Sequence, residues 1–292
     1  MNHYLPKSQI LVFLFLLALI YSCKNTEQTK TFTFVQMCDP QFGMGGYHHD
    51  TIAFIKAIEQ INSLNPNLVI VCGDLVDSAY EQSFNDFNRI KKLFVPPVYL
   101  ASGNHDVENT PTKESLAYYR TKIGDDYYSF DYHRFRFIIV NTQLWKSPLE
   151  DETEAQDLWF KETLRNAKEK NEPIVVVGHY PLFVDRPDEI DNYFNLPIKK
   201  RLELLDLFQN YGVVAYLGGH VHKTVVHQLE GIQFVYGETT SMNFDNQSLG
   251  FRLWTVSGDS VSHRFVELAE PPEEEIVYNP DYQSEIKDTL KK

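Results

Sequence analysis

Five short strand-like runs in this chain each stop abruptly in a polar motif. Residues 31–38 run into Asp39-Pro40-Gln41, and 68–72 into Gly73-Asp74-Leu75-Val76-Asp77. Residues 98–102 run into Gly103-Asn104-His105-Asp106, 174–177 into Gly178-His179, and 213–217 into Gly218-Gly219-His220-Val221-His222. Runs this short, apolar throughout or broken only by Thr31, Thr33, Gln36 and Ser102, predict strands. Between them lie stretches of helical length: 51–64, with Ile52, Ile55, Ile58 and Ile61 at helical spacing, then 82–93, 112–123, 153–168 and 198–209. Thr153 followed by Gln156 has the form of a capping box. Residues 127–132 and 135–141 read as a hairpin, and 224–266 as short strands with tight turns such as Glu230-Gly231. The fold class is mixed α/β, with no internal repeat and no domain linker. In open α/β sheets ligands bind beyond the carboxyl ends of the strands, so five polar strand ends can converge on one site.

One Gly-Asp or Gly-His pair would be an ordinary turn or cap, and a lone His179 would more often be structural than a ligand. Five in order, each at the same kind of strand end, point to a metal centre instead. Carboxylate, imidazole and amide oxygen together suit Mn, Fe, Zn or Mg rather than thiolate-seeking ions. Two such ions about 4 Å apart could share one carboxylate and one hydroxide.

With these motifs in order from Asp39 to His222, the chain resembles the calcineurin-like metallophosphoesterase superfamily. That family includes purple acid phosphatases and protein Ser/Thr phosphatases. The resemblance implies a four-layer αββα sandwich and two divalent metal ions. It implies that Asp74 bridges both ions, that Asp39, Gln41 and His222 complete the first, and that Asn104, His179 and His220 complete the second. His105 would lie by the substrate as general acid, oriented by Asp106. Most of the superfamily has histidine where this chain has Gln41, a weaker donor through its carbonyl oxygen, so the first metal would be held more loosely. A closer resemblance is to the calcineurin-like phosphoesterase-domain proteins, also called complete S-transactivated phosphatases. It rests on Asp39-Pro40-Gln41-Phe42-Gly43, on Gly103 to Val107, on Gln156 with Trp159, and on Asp191-Asn192-Tyr193-Phe194-Asn195-Leu196. The implied activity is hydrolysis of phosphomonoesters, phosphoserine and phosphothreonine among them, by attack of a metal-bridging hydroxide. The alternatives are a phosphodiesterase or nucleotide pyrophosphatase using the same centre, and a non-catalytic metal-binding lipoprotein.

The amino terminus has a separate role. Lys7 is the only formally charged side chain before Cys23, and residues 10–20 form an apolar run well short of the roughly 20 residues needed to span a bilayer. This reads as an export signal over 1–22. Its end, Leu19-Ile20-Tyr21-Ser22-Cys23, resembles a bacterial lipobox, so Cys23 is the expected lipidation site, with 23–30 as the tether. The phosphoesterase domain then covers 31–267, and 268–292, with Pro271-Pro272 among glutamates, is an acidic carboxyl-terminal arm. The expected product is an exported lipoprotein on the periplasmic or cell-surface side. Its partners would be a phosphorylated small molecule or phosphoprotein and the membrane. Lys plus Arg total 27 against 40 Asp plus Glu, a formal charge of −13. That balance argues against nucleic-acid binding, which needs a basic footprint.

Other polar residues have blander readings. Cys38 and Cys72 read as buried free thiols, with a bridge conceivable if their strands are neighbours. His48-His49-Asp50 reads as a polar loop with Asp50 as helix cap. Tyr193, Phe194 and Asn195 could line the pocket or pack in the core. Turn roles suffice for Glu238 and Asn243, and structural or solvated roles for His133, His227 and His263.

Overall fold

The computed structural model describes residues 31–269. The signal segment, Cys23, the tether and the arm beyond Ala269 lie outside the described residues. The described residues open with β1 (Phe32–Met37), α1 (Tyr47–Leu64), β2 (Leu68–Cys72), α2 (Glu81–Lys91), β3 (Val98–Ala101), α3 (Asn104–Val107) and α4 (Lys113–Lys122). A hairpin of β4 (Tyr128–Tyr132) and β5 (Phe135–Ile139) leads to α5 (Gln143–Lys146), α6 (Glu150–Glu169), β6 (Ile174–Val177), α7 (Ile198–Tyr211) and β7 (Val213–Gly218). Two hairpins close the domain, β8 (Val225–Leu229) with β9 (Ile232–Tyr236) and β10 (Gly250–Ser257) with β11 (Ser260–Glu267).

Two mixed sheets result, ordered β11-β10-β1-β2-β3 and β4-β5-β6-β7-β9-β8. Alternation along the strands decides the layers, because successive side chains face opposite ways. Phe34, Leu68, Ile70 and Cys72 from the first sheet meet Phe137, Val175, Val177 and Leu217 from the second in one inter-sheet core. Their neighbours point outward. Val35, Val69 and Val71 pack under α1, α2 and α4, with Phe54, Phe87 and Leu116. Ile174, Val176 and Tyr216 pack under α6 and α7, with Phe160, Leu164, Leu204 and Phe208. Helix, sheet, sheet, helix is the αββα sandwich.

Several boundaries differ from the sequence reading. The buried stripe of α1 is Phe54, Ala57, Ile58 and Ile61, with Ile52 and Ile55 turned only partly inward. The helix also begins before Asp50, which therefore does not cap it. The buried Asp50 carboxylate instead accepts from Gly43 N at 2.9 Å and Gly45 N at 3.0 Å, holding the loop after β1. Helix α6 starts at Glu150, ahead of Thr153, and Gln156 reaches Asn141 N (2.8 Å) and Asn141 O (3.1 Å) rather than closing a capping box. Packing continues to the end of the described chain, where Leu268 N donates to Leu249 O and Ala269 N to Gln60 Oε1.

The two sheets are locked at the end that matters. The buried Gln36 side chain donates to Gly218 O (3.1 Å) and Val235 O (2.9 Å) and accepts from Trp254 Nε1 (3.0 Å). Cys38 Sγ donates to the same Gly218 O at 3.2 Å, and both Cys38 and Cys72 are buried and free. Buried polar groups are tolerated when satisfied in this way. The satisfied set leaves the carboxyl ends of β1 and β7 side by side.

Candidate metal centre

Strands β1, β2 and β3 run parallel to one another, as do β6 and β7, so the motif-bearing ends in each sheet emerge together. Gln41 N donates to Asp74 O, and Gly219 N to His179 O, both at 2.9 Å. The backbone there is unusual. Asp39, Gln41, Asp74, His220 and His222 all have positive φ, between 36° and 70°. Non-glycine residues in that region cost about 1–3 kcal/mol each and cluster at functional sites. Two glycines allow the loops to close in. A Cβ on Gly103 would lie 2.0 Å from Asp74 Oδ1, and one on Gly219 2.2 Å from Asp39 Oδ2.

All seven residues named as ligands from sequence are buried in this one place. Their donor atoms form two groups: Asp74, His179 and His220 in one, and Asp39, Asp74 and His222 in the other, each with its atoms within 4.8 Å of one another. Asp74 belongs to both. Asn104 joins the first group, its Oδ1 3.1 Å from His179 Nε2. Gln41 lies beside the second, donating from Nε2 to Asp77 Oδ1 at 3.4 Å. Its Oε1 is buried without a hydrogen-bond partner among the described residues. A buried acceptor left unpaired is costly, and a cation would satisfy it.

The histidine tautomers fit a metal as well. His179 Nδ1 faces Cys72 O at 2.8 Å, and His222 Nδ1 faces Met242 O at 2.7 Å. A carbonyl only accepts, so both Nδ1 atoms carry hydrogen and leave Nε2 toward Asp74 and Asp39, the usual outer-shell support of a ligating histidine. His220 is reversed, with Nε2 on Tyr193 O at 3.3 Å and Nδ1 left over.

Charge is strongly coupled here. Burial would lift the Asp74 carboxyl, but the His179 imidazole 3.2 Å away holds it well below the usual range. Burial opposes a charge on His179, yet Asp74 and Asp39 raise it to about 10. Burial also opposes a charge on His222, which Asp39 nevertheless raises, whereas burial and the neighbouring His179 push His220 well below its ordinary value. Without cations, a proton on His179 supplies the positive charge that the carboxylates attract.

The geometry corrects one expected role. Asp106 does not orient the His105 ring. Its carboxylate accepts from Gly103 N (2.8 Å), Leu75 N (2.9 Å) and Val76 N (3.3 Å), tying the loop after β2 to the loop after β3. Burial, with Asp74 beside it, holds that carboxyl well above the usual range. The His105 ring is held by Asp77, with Nδ1 2.7 Å from Asp77 O and 3.5 Å from Asp77 Oδ1. Asp77 was visible in the Gly73–Asp77 motif, but nothing local ties it to a residue on the next strand's loop. His105 is about 29% exposed, unlike the buried ligand set.

Tyr193 and Phe194 lie against His220, with centroids at 4.9 and 5.7 Å, and Phe244 stacks on His222 at 4.3 Å. Asn195 is buried and holds its own loop. His48 and His49 sit in the first turn of α1, with His49 on Asp50. Asn243 does make a turn, accepting from Thr239 N and donating to Ser248 O. Glu238 does more, forming a buried ion pair with Arg252 at 2.5 Å across the two sheets. His227 bonds Val184 O, His263 bonds Arg252, and His133 packs on Phe32.

Known proteins resemble this chain in sequence and fold. Residues 32–224 match the family model of the calcineurin-like phosphoesterases. The serine/threonine-protein phosphatase CPPED1 of Rattus norvegicus is 32% identical over 272 residues, covering 85% of this chain and 87% of the relative. The 3',5'-cyclic adenosine monophosphate phosphodiesterase CpdA of Haemophilus influenzae is 23% identical over 209 residues, covering 69% and 71%. Among solved structures, a dimetal phosphatase from Danio rerio shares the fold with a TM-score of 0.59 at 16% identity, over 82% of this chain and 99% of that one. The chain belongs to the calcineurin-like phosphoesterases and is a hydrolase.

Proposed function

We propose that the chain is a two-metal phosphomonoesterase in which Asp74 is shared between the ions. Asp39, Gln41 and His222 would hold the first ion, and Asn104, His179 and His220 the second. The observation that carries this reading is the pair of buried donor groups with Asp74 in common, beside the orphaned Gln41 oxygen. The donor set suits Mn, Fe, Zn or Mg. Bound divalent ions lower the pKa of water and neutralise phosphoryl oxygens.

The remaining chemistry falls to the chain's own residues. With Nδ1 engaged by Asp77 O, the His105 ring keeps a fixed orientation and has Nε2 available to protonate the leaving oxygen. Asp77 is thus a positioning residue for that proton, and Asp106 holds the two loops that carry Asp74 and His105. The Ser/Thr phosphatase relative supports phosphoserine or phosphothreonine substrates, whether in a phosphoprotein or a small molecule. The phosphodiesterase relative keeps diester hydrolysis as the second reading. The lipobox-like sequence supports an exported lipoprotein anchored through Cys23.

The test measures phosphate release from a monoester and its diester analogue with each metal, alongside metal content. Wild type should bind two ions and favour the monoester, and Asp74→Asn should lose metal and nearly all turnover. Retained stoichiometry and activity in Asp74→Asn would sink the shared-ligand assignment. Two bound ions with no turnover on any ester would favour a non-catalytic metal-binding protein. Labelled fatty acid should enter wild type but not Cys23→Ala; none in wild type removes the lipid anchor.

A further inference from the structure

The loop between β6 and α7 carries large aromatic side chains that are not packed away. Tyr193 is 50% exposed and Phe194 38%. Yet this is not a loose tip. The wholly buried Asn195 amide donates to Glu189 Oε1 (2.6 Å) and Ile190 O (2.9 Å), and its carbonyl accepts from Asn192 N (2.9 Å). Lys146 Nζ donates to Asn192 O and Asn195 O, at 2.5 and 2.6 Å. The buried Arg201 guanidinium donates to Pro187 O, Glu189 O and Leu196 O at 2.8–2.9 Å. Burying such groups is costly unless they are bonded, so the loop is held in one shape by partners from α5 and α7.

That shape presents Tyr193 to the candidate metal centre. The Tyr193 carbonyl lies 3.3 Å from His220 Nε2, and its ring lies against the His220 ring. Its hydroxyl accepts from Asn104 Nδ2 at 3.4 Å. Among the described residues the phenolic hydrogen has no acceptor, and the side chain is half-exposed. The half-exposed phenol is thus a donor beside Asn104, on a residue whose ring and carbonyl contact His220.

We propose that Tyr193 binds substrate directly, its phenol donating to a non-bridging oxygen of the phosphoryl group on the Asn104–His220 side of the site. This rests on the two-metal phosphoesterase reading. A hydrogen bond to a charged oxygen is worth roughly tenfold to a hundredfold in affinity. Tyr193→Phe keeps the ring and carbonyl that contact His220 and removes only the hydroxyl. With the full chain loaded with Mn²⁺, binding of inorganic phosphate is measured by calorimetry, together with metal content, KM and kcat. The expected result is a phosphate Kd and a KM raised by about ten- to a hundredfold, with metal content unchanged. Unchanged phosphate affinity would overturn the proposal. Loss of a metal ion would also overturn it, because Tyr193 would then be supporting or ligating the metal. Wild type that neither binds phosphate nor hydrolyses an ester would fail the phosphoesterase reading itself, and the proposal with it.

Discussion

Replacing Asp106 with alanine would strip the acceptor from three buried backbone amides. Two of those bonds are well formed, from Gly103 N at 2.8 Å and Leu75 N at 2.9 Å, while Val76 N is long at 3.3 Å. A buried donor left unpaired costs about 1–3 kcal/mol, so two strong bonds put the loss at about 2–6 kcal/mol. At about 2–4 °C per kcal/mol for a domain of this size, Tm should fall by roughly 4–24 °C. Asp106→Asn keeps one accepting oxygen and should fall in between. Calorimetry on metal-free protein is the assay, since bound metal would add its own stabilisation. The kinetic expectation follows from the same bonds: activity on an alkyl phosphate and on nitrophenyl phosphate should drop together. An unchanged Tm with activity lost only on the alkyl phosphate would refute this reasoning and restore Asp106 as the residue that orients His105.

His105→Ala should retain both metals and lose roughly 10²–10⁴-fold on alkyl phosphates but far less on nitrophenyl phosphate, whose leaving group needs no proton; paired kinetics decide it, and equal losses would assign His105 to phosphoryl binding instead. Gln41→Ala should weaken one of two metal sites while Gln41→His tightens it, read by titration with a metal indicator, and equal affinity in both variants would remove Gln41 from the ligand set. Because His179 in the metal-free site is raised to about 10, a cation must displace its proton, so metal affinity should rise as pH rises toward that value and loading should release protons. Calorimetry in buffers of different ionisation enthalpy measures that release, and pH-independent affinity would contradict it.

The sequence by itself determined the strands, the α/β class and the candidate donor residues at the strand ends. These are local properties: period, run length and the chemistry of one short motif. Asp39, Gln41, Asp74, Asn104, His179, His220 and His222 could therefore be named as candidate ligands before any contact was known. The tertiary structure decided which groups face one another. Met242 O on His222, Tyr193 beside Asn104 and Asp77 under His105 join residues 20, 89 and 28 positions apart, and no local period encodes such pairings. They depend on how the satisfied Gln36 amide sets one sheet against the other, and on where Lys146, Asn195 and Arg201 pin a loop. The buried face of α1 was settled in the same way: Phe54 and Ala57 join Ile58 and Ile61 in the core, Ile55 packs at its edge, and Ile52 is only partly buried. Helical spacing limits a face to neighbouring choices, and packing against a particular surface selects among them.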